Sequence, residues 1–171
     1  MPDASAKASK SKGGASIAGQ AKKARLEYLG NLESLRDWMP RAELETLKGS
    51  HEHNEILAEL VARIEAMPTS YSTQDGGDAV MVQLHYFNPG SDWYIIERDA
   101  EGDGTDQAWG WVVLNGDLQK AELGYISIRE LVSLGVELDL HWTPRTRRDV
   151  QQERGRREAA VAISADGEPV A

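Results

Sequence analysis

Imidazole is the side chain best suited to metal binding or proton transfer, and two of the four histidines, His85 and His141, lie in segments that could bring them near carboxylates. His85 belongs to one segment of alternating polar and apolar residues, and Asp139 and His141 belong to another. Imidazole and carboxylate groups bind zinc and move protons at neutral pH. If the two segments pair in a sheet, these three side chains and Glu97 form one polar cluster able to support a metal-dependent reaction. If they do not pair, the same side chains face water or satisfy one another.

A second group of carboxylates lies in the segment from Asp99 to Asp106. Acidic residues stand at alternate positions at its start and a glycine at its sixth, as in a calcium-binding loop. The twelfth position, however, is Gly110 instead of the glutamate that binds calcium through both oxygens. We therefore interpret the segment as a solvated acidic hairpin loop, with Glu101, Asp103 and Asp106 as candidate binding residues.

Arginines dominate the start of the C-terminal region. The six of them are Arg145, Arg147, Arg148, Arg154, Arg156 and Arg157. Such a run suits contacts with the phosphates of a nucleic acid, and it equally suits a solvated basic helix that neutralises an acidic body. Arg145, Arg147 and Arg148 are the candidate binding residues of this segment.

Several classes of protein lack their characteristic residues here. The chain has no cysteine, which excludes disulfides, thiol catalysis and cysteine-ligated metal centres and favours a reducing compartment. No serine lies in a Gly-x-Ser-x-Gly turn, and no nucleotide-binding glycine pattern follows a predicted strand. No apolar run approaches membrane-spanning or signal-peptide character. We therefore expect a cytoplasmic protein with no cofactor and no membrane partner, and an enzyme is disfavoured.

Charge is strongly segregated along the 171 residues, whose net charge is −9. Residues 1–25 carry +5, residues 26–140 carry −15 and residues 141–171 carry +1. A central region this acidic repels nucleic-acid phosphates and attracts basic partners, whereas the basic ends could contact nucleic acid or the domain itself. The alternative is that the acidity serves only solubility.

Apolar spacing predicts helices in the first part of the chain. Tyr28, Leu32, Leu35 and Met39 recur at steps of four, three and four, which places them on one helical face. Pro40 ends this helix and can open a short one that ends at Gly49. The sequence predicts Ser50 as the N-cap of a third helix, which has the clearest amphipathic pattern in the chain and ends near residue 68.

After residue 78 the period changes from that of a helix towards that of a strand. Residues 79–87, 92–98, 108–114 and 121–128 are rich in β-branched and aromatic residues and are joined by turn sequences, as in an antiparallel meander. Residues 129–134 predict a short helix. Residues 136–142 alternate again and predict a fifth strand.

The predicted architecture is α+β: N-terminal helices, then a mainly antiparallel sheet of about five strands, with one short helix before the last strand. We divide the chain into a disordered basic segment (residues 1–21), a helical segment (22–68), a sheet domain (69–144) and a C-terminal region (145–171). In the last region, Val150 is the only apolar residue before Ala159. We therefore expect an exposed, frayed basic helix followed by about a dozen disordered residues.

Several spaced blocks resemble a bacterial and phage family catalogued as domain of unknown function 2958. The blocks are residues 92–99, 107–110, 122–127, 130–131 and 136–144, in the order that the family has them. The resemblance covers residues 67–150, about half of the chain, and leaves the N-terminal helices outside it. Trp109 stands where the family usually has phenylalanine. The resemblance assigns no activity, and it implies a passenger of plasmids, phages or integrated elements that serves DNA maintenance or conflict with host defence.

These observations predict an accessory protein of a mobile genetic element that catalyses no reaction and binds a host or element-encoded protein with a basic surface. Two alternatives stay open. One is a nucleic-acid-binding protein that acts through its basic ends. The other is a metal-dependent enzyme that uses the cluster of His85, Glu97, Asp139 and His141.

Overall fold

The computed structural model describes residues 16–48 and 50–166 of the chain. Within them the predicted α+β architecture is confirmed: helices come first, an antiparallel sheet follows, and a short helix precedes the later strands. The helices are α1 (Ile17–Ser34), α2 (Arg41–Leu47), α3 (Asn54–Ala66), α4 (Ile128–Ser133) and α5 (Arg147–Asp166).

The N-terminal helices form where the apolar spacing predicts them. All four residues of the stripe that begins at Tyr28 and ends at Met39 are buried. Helix α1 starts earlier than expected, because the hydroxyl of Ser16 accepts a hydrogen bond from the backbone N–H of Gly19 and caps it. Residues 17–21, which we assigned to a disordered segment, are therefore helical. Residues 1–15 and Gly49 lie outside the described residues.

The sheet has five strands in the order β5-β4-β3-β2-β6, and each neighbouring pair is antiparallel. Its strands are β2 (Leu84–Asn88), β3 (Ser91–Glu97), β4 (Ala108–Val113), β5 (Glu122–Ile126) and β6 (Glu137–Leu138). The predicted strand 79–87 is two strands, since β1 (Met81–Val82) leaves the sheet to pair with β7 (Arg145–Thr146).

Both faces of the sheet are covered. One face packs against the N-terminal helices and α4 in a single core that includes Leu35, Leu57, Tyr86 and Ile95. The helical segment and the sheet domain therefore share one core. The opposite face packs against α5 through Val82, Tyr94, Ile96, Trp111, Val113, Trp142 and Val150. A sheet buried on both sides holds its polar side chains in fixed positions.

The C-terminal region differs most from its prediction. Arg145 and Thr146 are in a strand, and α5 continues to Asp166, so residues 160–166 are helical instead of disordered. Residues 167–171 lie outside the described part. Val150, only 1% exposed, anchors the helix to the sheet. From residue 155 to residue 165 every side chain is exposed, so that part of α5 contacts the body little.

The predicted fifth strand is cut short. Only Glu137 and Leu138 pair with β2, and the chain then turns, with the backbone N–H of Trp142 donating to the carbonyl of Asp139 at 3.2 Å. The turn takes Trp142 across to the α5 face, where its indole N–H donates to the carbonyl of Val82. The alternation in the sequence continues to Trp142, but the strand itself ends at Leu138.

Candidate functional site

His85 lies at the centre of a polar cluster on the α5 face of the sheet. Because β2 pairs with both β3 and β6, it meets carboxylates from each side. Its Nε2 lies 2.8 Å from Oδ1 of Asp92, and its Nδ1 lies 3.1 Å from Oδ2 of Asp139. The ring stacks on Tyr94 at 4.7 Å and 7°. The strand adjacency that the sequence left open is thus present.

The cluster extends into α5 through arginines. Arg154 lies 3.1 Å from the second oxygen of Asp92, so this half-buried carboxylate contacts both a histidine and a guanidinium. His141 is exposed, and its backbone N–H donates to Asp139 at 3.0 Å. The imidazoles of His85 and His141 line one cleft of about 450 Å³. The structure therefore brings together three of the four residues predicted for a metal-dependent reaction.

This cluster is a poor metal site or general base. Both ring nitrogens of His85 already meet carboxylate oxygens, so neither offers a free lone pair. In the described ranges, no group of three or more His, Asp or Glu side chains is placed to hold a metal ion. The arrangement satisfies its own polar groups and ties three strands to α5.

Glu97, the fourth predicted member, belongs to a different place. The register of β3 against β4 shifts between Ile95 and Glu97, so a β-bulge turns the carboxylate towards the segment after α3. There it accepts hydrogen bonds from the backbone N–H of Tyr71 at 2.8 Å and from the backbone and hydroxyl of Thr73 at 2.7 and 2.5 Å. Glu97 is 3% exposed and fixes the conformation of that segment.

A pocket of about 240 Å³ lies beside Glu97, and sequence reasoning missed it. Its lining includes Tyr71, Trp109, Tyr125 and Arg147, from four separate parts of the chain. One signal was present: Tyr71 is an aromatic residue inside a stretch otherwise rich in turn residues. Its exposure, 64%, shows that it does not serve the core.

The acidic loop, residues 99–106, is held in one conformation by its own hydrogen bonds. Asp99 accepts from the backbone N–H of Glu101 and of Gln107, at 3.0 and 3.1 Å. Asp103 accepts from the backbone and hydroxyl of Thr105, at 3.0 and 2.5 Å. Gly104 has φ +87°, and a Cβ there would lie 3.2 Å from the ring of Trp38. These bonds are those of a structured loop, not of an open calcium cage.

The three candidate binding residues of the acidic loop are exposed and differ in their ionic partners. Arg129 lies 3.1 Å from both Asp103 and Asp106. The hydroxyl of Thr105, followed by other hydrogen bonds and this guanidinium, lowers the pKa of Asp103. Glu101 makes no ion pair within the described residues. The loop therefore presents three carboxylates to solvent, with one guanidinium beside two of them.

The candidate arginines mostly bind carboxylates of the same protein. Arg145 lies 2.5 Å from Glu153 and stacks over Trp142 at 4.6 Å. Arg148 donates two hydrogen bonds to Asp78, at 2.9 and 2.7 Å, which lowers the pKa of that carboxyl. Of the other four, Arg154 and Arg157 are paired, whereas Arg147 and Arg156 make no ion pair with any described residue.

No family model, curated protein or solved structure matches this chain at a significant level. Among the described helices, none combines the length and the apolar character needed to cross a membrane.

Proposed function

We propose that this chain is a cytoplasmic binding module of a mobile genetic element, which holds a basic protein partner through its acidic loop and catalyses no reaction. The observation that carries the proposal is that the acidic loop is both ordered and exposed. Hydrogen bonds to Asp99 and Asp103 fix its conformation. The side chains of Glu101, Asp103 and Asp106 are exposed to solvent. A surface fixed before binding loses less conformational entropy when a partner arrives.

The charge around the acidic loop supports the same proposal. Residues 69–144 hold 13 acidic and three basic side chains. A field of this sign steers basic proteins towards the surface and repels nucleic acid. Proteins that hold nucleic acid present such basic surfaces, so a host defence or DNA-processing component is the kind of partner expected.

Nucleic-acid binding through the basic ends is the alternative, and it has less support. Four of the six C-terminal arginines pair with carboxylates of this chain, and within residues 16–48 and 50–166 only Arg147 and Arg156 of the six make no ion pair that would compete with a phosphate. A metal-dependent reaction has less support still, because both nitrogens of His85 are occupied.

The experiment is capture of partners from the native host with and without nuclease. The test variant combines Glu101→Gln, Asp103→Asn and Asp106→Asn, which keep the side-chain shapes and remove three charges. The control variant removes three exposed charges from α3: Glu55→Gln, Glu59→Gln and Glu65→Gln. We expect a nuclease-resistant protein partner that the control variant retains and the test variant loses. Recovery of nucleic acid alone, or equal loss in both variants, refutes the proposal.

The alternative needs a truncation that spares the core. Removal of residues 145–171 would expose the sheet, because Val150 and β7 lie within that range. Removal of residues 1–16 and 156–171 leaves both in place and takes away Arg156, Arg157 and the three lysines of residues 1–16. Because Arg147 and the basic residues of 17–25 remain, the alternative predicts that this truncation weakens DNA or RNA binding in a mobility-shift assay. Our proposal predicts that it leaves partner capture intact.

A further inference from the structure

The pocket beside Glu97 is separate from the acidic loop and from the His85 cluster. It lies between the segment after α3 and the edge of the sheet at β4 and β5, and it reaches the start of α5. We name it the tyrosine pocket. It is defined by Tyr71, Glu97, Trp109, Leu123, Tyr125 and Arg147. Its lining shares no residue with the cleft at His85.

The walls of the tyrosine pocket are aromatic and exposed. Trp109 and Tyr125 meet edge to face, with ring centroids 5.1 Å apart and planes at 73°. The hydroxyls of Tyr71 and Tyr125 lie 3.0 Å apart. Tyr125 is 55% exposed and Leu123 38% exposed, on a strand at the edge of the sheet. Such walls suit a flat ring, which can stack on one aromatic side chain and meet the edge of another.

The protein keeps Tyr71 in this place at a conformational cost. Its φ is +68°, a region that bulky residues rarely adopt. The buried carboxylate of Glu97 holds the strained segment through hydrogen bonds to the backbone of Tyr71 and Thr73. Strained residues held by surrounding structure cluster at ligand sites. An exposed surface turn needs no such support.

Arg147 is the one cation among the described residues that line the tyrosine pocket, and the one carboxylate there, that of Glu97, already accepts hydrogen bonds from Tyr71 and Thr73. Its Nε is buried and has no hydrogen-bond partner among the described residues. The nearby carboxylate of Asp78 is already held by two hydrogen bonds from Arg148. The charge of Arg147 also lowers the pKa of Asp78, but no carboxylate of the described residues lies within ion-pair distance of the Arg147 guanidinium. Guanidinium groups bind carboxylate and phosphate through two parallel hydrogen bonds.

We propose that the tyrosine pocket binds a small aromatic anion: one ring or two fused rings that carry a carboxylate or a phosphate. The ring packs against Trp109 and Tyr125, and the anionic group meets Arg147. The volume of 240 Å³ is below the range of roughly 300–1,000 Å³ for drug-sized ligands, which favours a compact molecule. Two sources share this chemistry, an aromatic carboxylic acid and a mononucleotide.

Titration of the full-length protein by NMR tests the proposal, with the indole N–H signal of Trp109 as the probe of the pocket. The ligands are indole-3-carboxylate and adenosine monophosphate, each beside its neutral counterpart, indole-3-carboxamide or adenosine. We expect saturable shifts of the Trp109 signal, and about tenfold tighter binding of at least one anion than of its neutral counterpart. The preferred anion then identifies the source.

Two variants make the assignment specific. Arg147→Met keeps an unbranched apolar stem and the backbone bond to Val80 but lacks the guanidinium, and we expect it to bind the anion about tenfold more weakly and the neutral counterpart unchanged. Arg156→Met, on the exposed part of the same helix, is the matched control and keeps native affinity. Tyr125→Ser removes a wall and weakens both ligands, while the signals of the other tryptophans report the intact fold.

Three results overturn the proposal. The first is no shift of the Trp109 signal with any ligand up to about 10 mM, where even weak specific binding is visible. The second is equal affinity for each anion and its neutral counterpart. The third is native affinity in Arg147→Met. None of these results bears on the partner of the acidic loop, so the two proposals fail independently.

Discussion

Glu43, in the first turn of α2, gives a stability prediction that depends on pH. The carboxylate is half-buried and accepts one hydrogen bond, from the backbone N–H of Leu138 at 3.2 Å. Burial raises its pKa to about 7, the hydrogen bond opposes this, and repulsion from Glu137 and Asp139 adds to it. Folding therefore favours the protonated form of Glu43.

Proton linkage gives the direction and the size of the effect of Glu43 on the free energy of unfolding. Below about pH 4.5 the carboxyl is protonated in both states and costs nothing; stability falls as pH rises towards 7 and then levels. The full shift corresponds to about 3 kcal/mol at about 1.36 kcal/mol per unit. Because the side chain is partly exposed to solvent, we discount this to about 1–2 kcal/mol.

Glu43→Gln removes the ionisation and retains an oxygen that can accept the bond from Leu138. We compare the free energy of unfolding of the variant with that of the native protein at each pH. We expect the difference in favour of the variant to be about 1–2 kcal/mol larger at pH 8 than at about pH 5. Urea unfolding at a series of pH values measures this. Glu59→Gln, on the exposed face of α3, is the control and should show no such trend. A Glu43→Gln difference that is equal at both pH values refutes the reasoning.

Two further predictions concern packing, and unfolding in urea measures both. Gly110→Ala places a Cβ 2.1 Å from the carbonyl oxygen of Tyr94, so we expect a loss of about 3 kcal/mol or more, or no folding. Gly124→Ala, with nothing within 4 Å, should be neutral or slightly stabilising, and similar losses in both would contradict the structure. Val150→Ala should cost about 2 kcal/mol, because the side chain is 1% exposed. Val161→Ala, at 68% exposure, should change stability by less than about 0.5 kcal/mol, and equal effects would show that α5 is not anchored where we place it.

The N-terminal helices and β2 could be predicted because the period of a buried face is visible in sequence; the stripe from Tyr28 to Met39 and the alternation in β2 are of this kind. Strand β3 is buried on both faces and could be predicted from its β-branched and aromatic residues instead. Helix α5 has no such stripe. It is anchored by Val150 and by ion pairs of Arg148 with Asp78 and Arg154 with Asp92, whose partners lie far away in sequence.

The candidate site could be predicted only in part for the same reason. Alternation placed His85 and Asp139 on strands, but their contact depends on β2 pairing with β6, which is a tertiary choice. Glu97 was misplaced because a β-bulge changes the direction of one side chain without a sequence signature. The tyrosine pocket depends on a strained turn at Tyr71, and local propensity disfavours that turn.

The rate of association with the captured partner, measured at several salt concentrations, tests the acidic loop most directly. Electrostatic steering predicts that the native rate falls as salt rises. Neutralising Glu101, Asp103 and Asp106 together should lower the rate at low salt about tenfold and remove most of its salt dependence. The α3 control variant has the same net charge as the loop variant. It should retain most of the native association rate at low salt and most of the salt dependence of that rate. Equal rates and salt slopes in the two variants would contradict the account, because binding would then depend on total charge and not on the acidic loop.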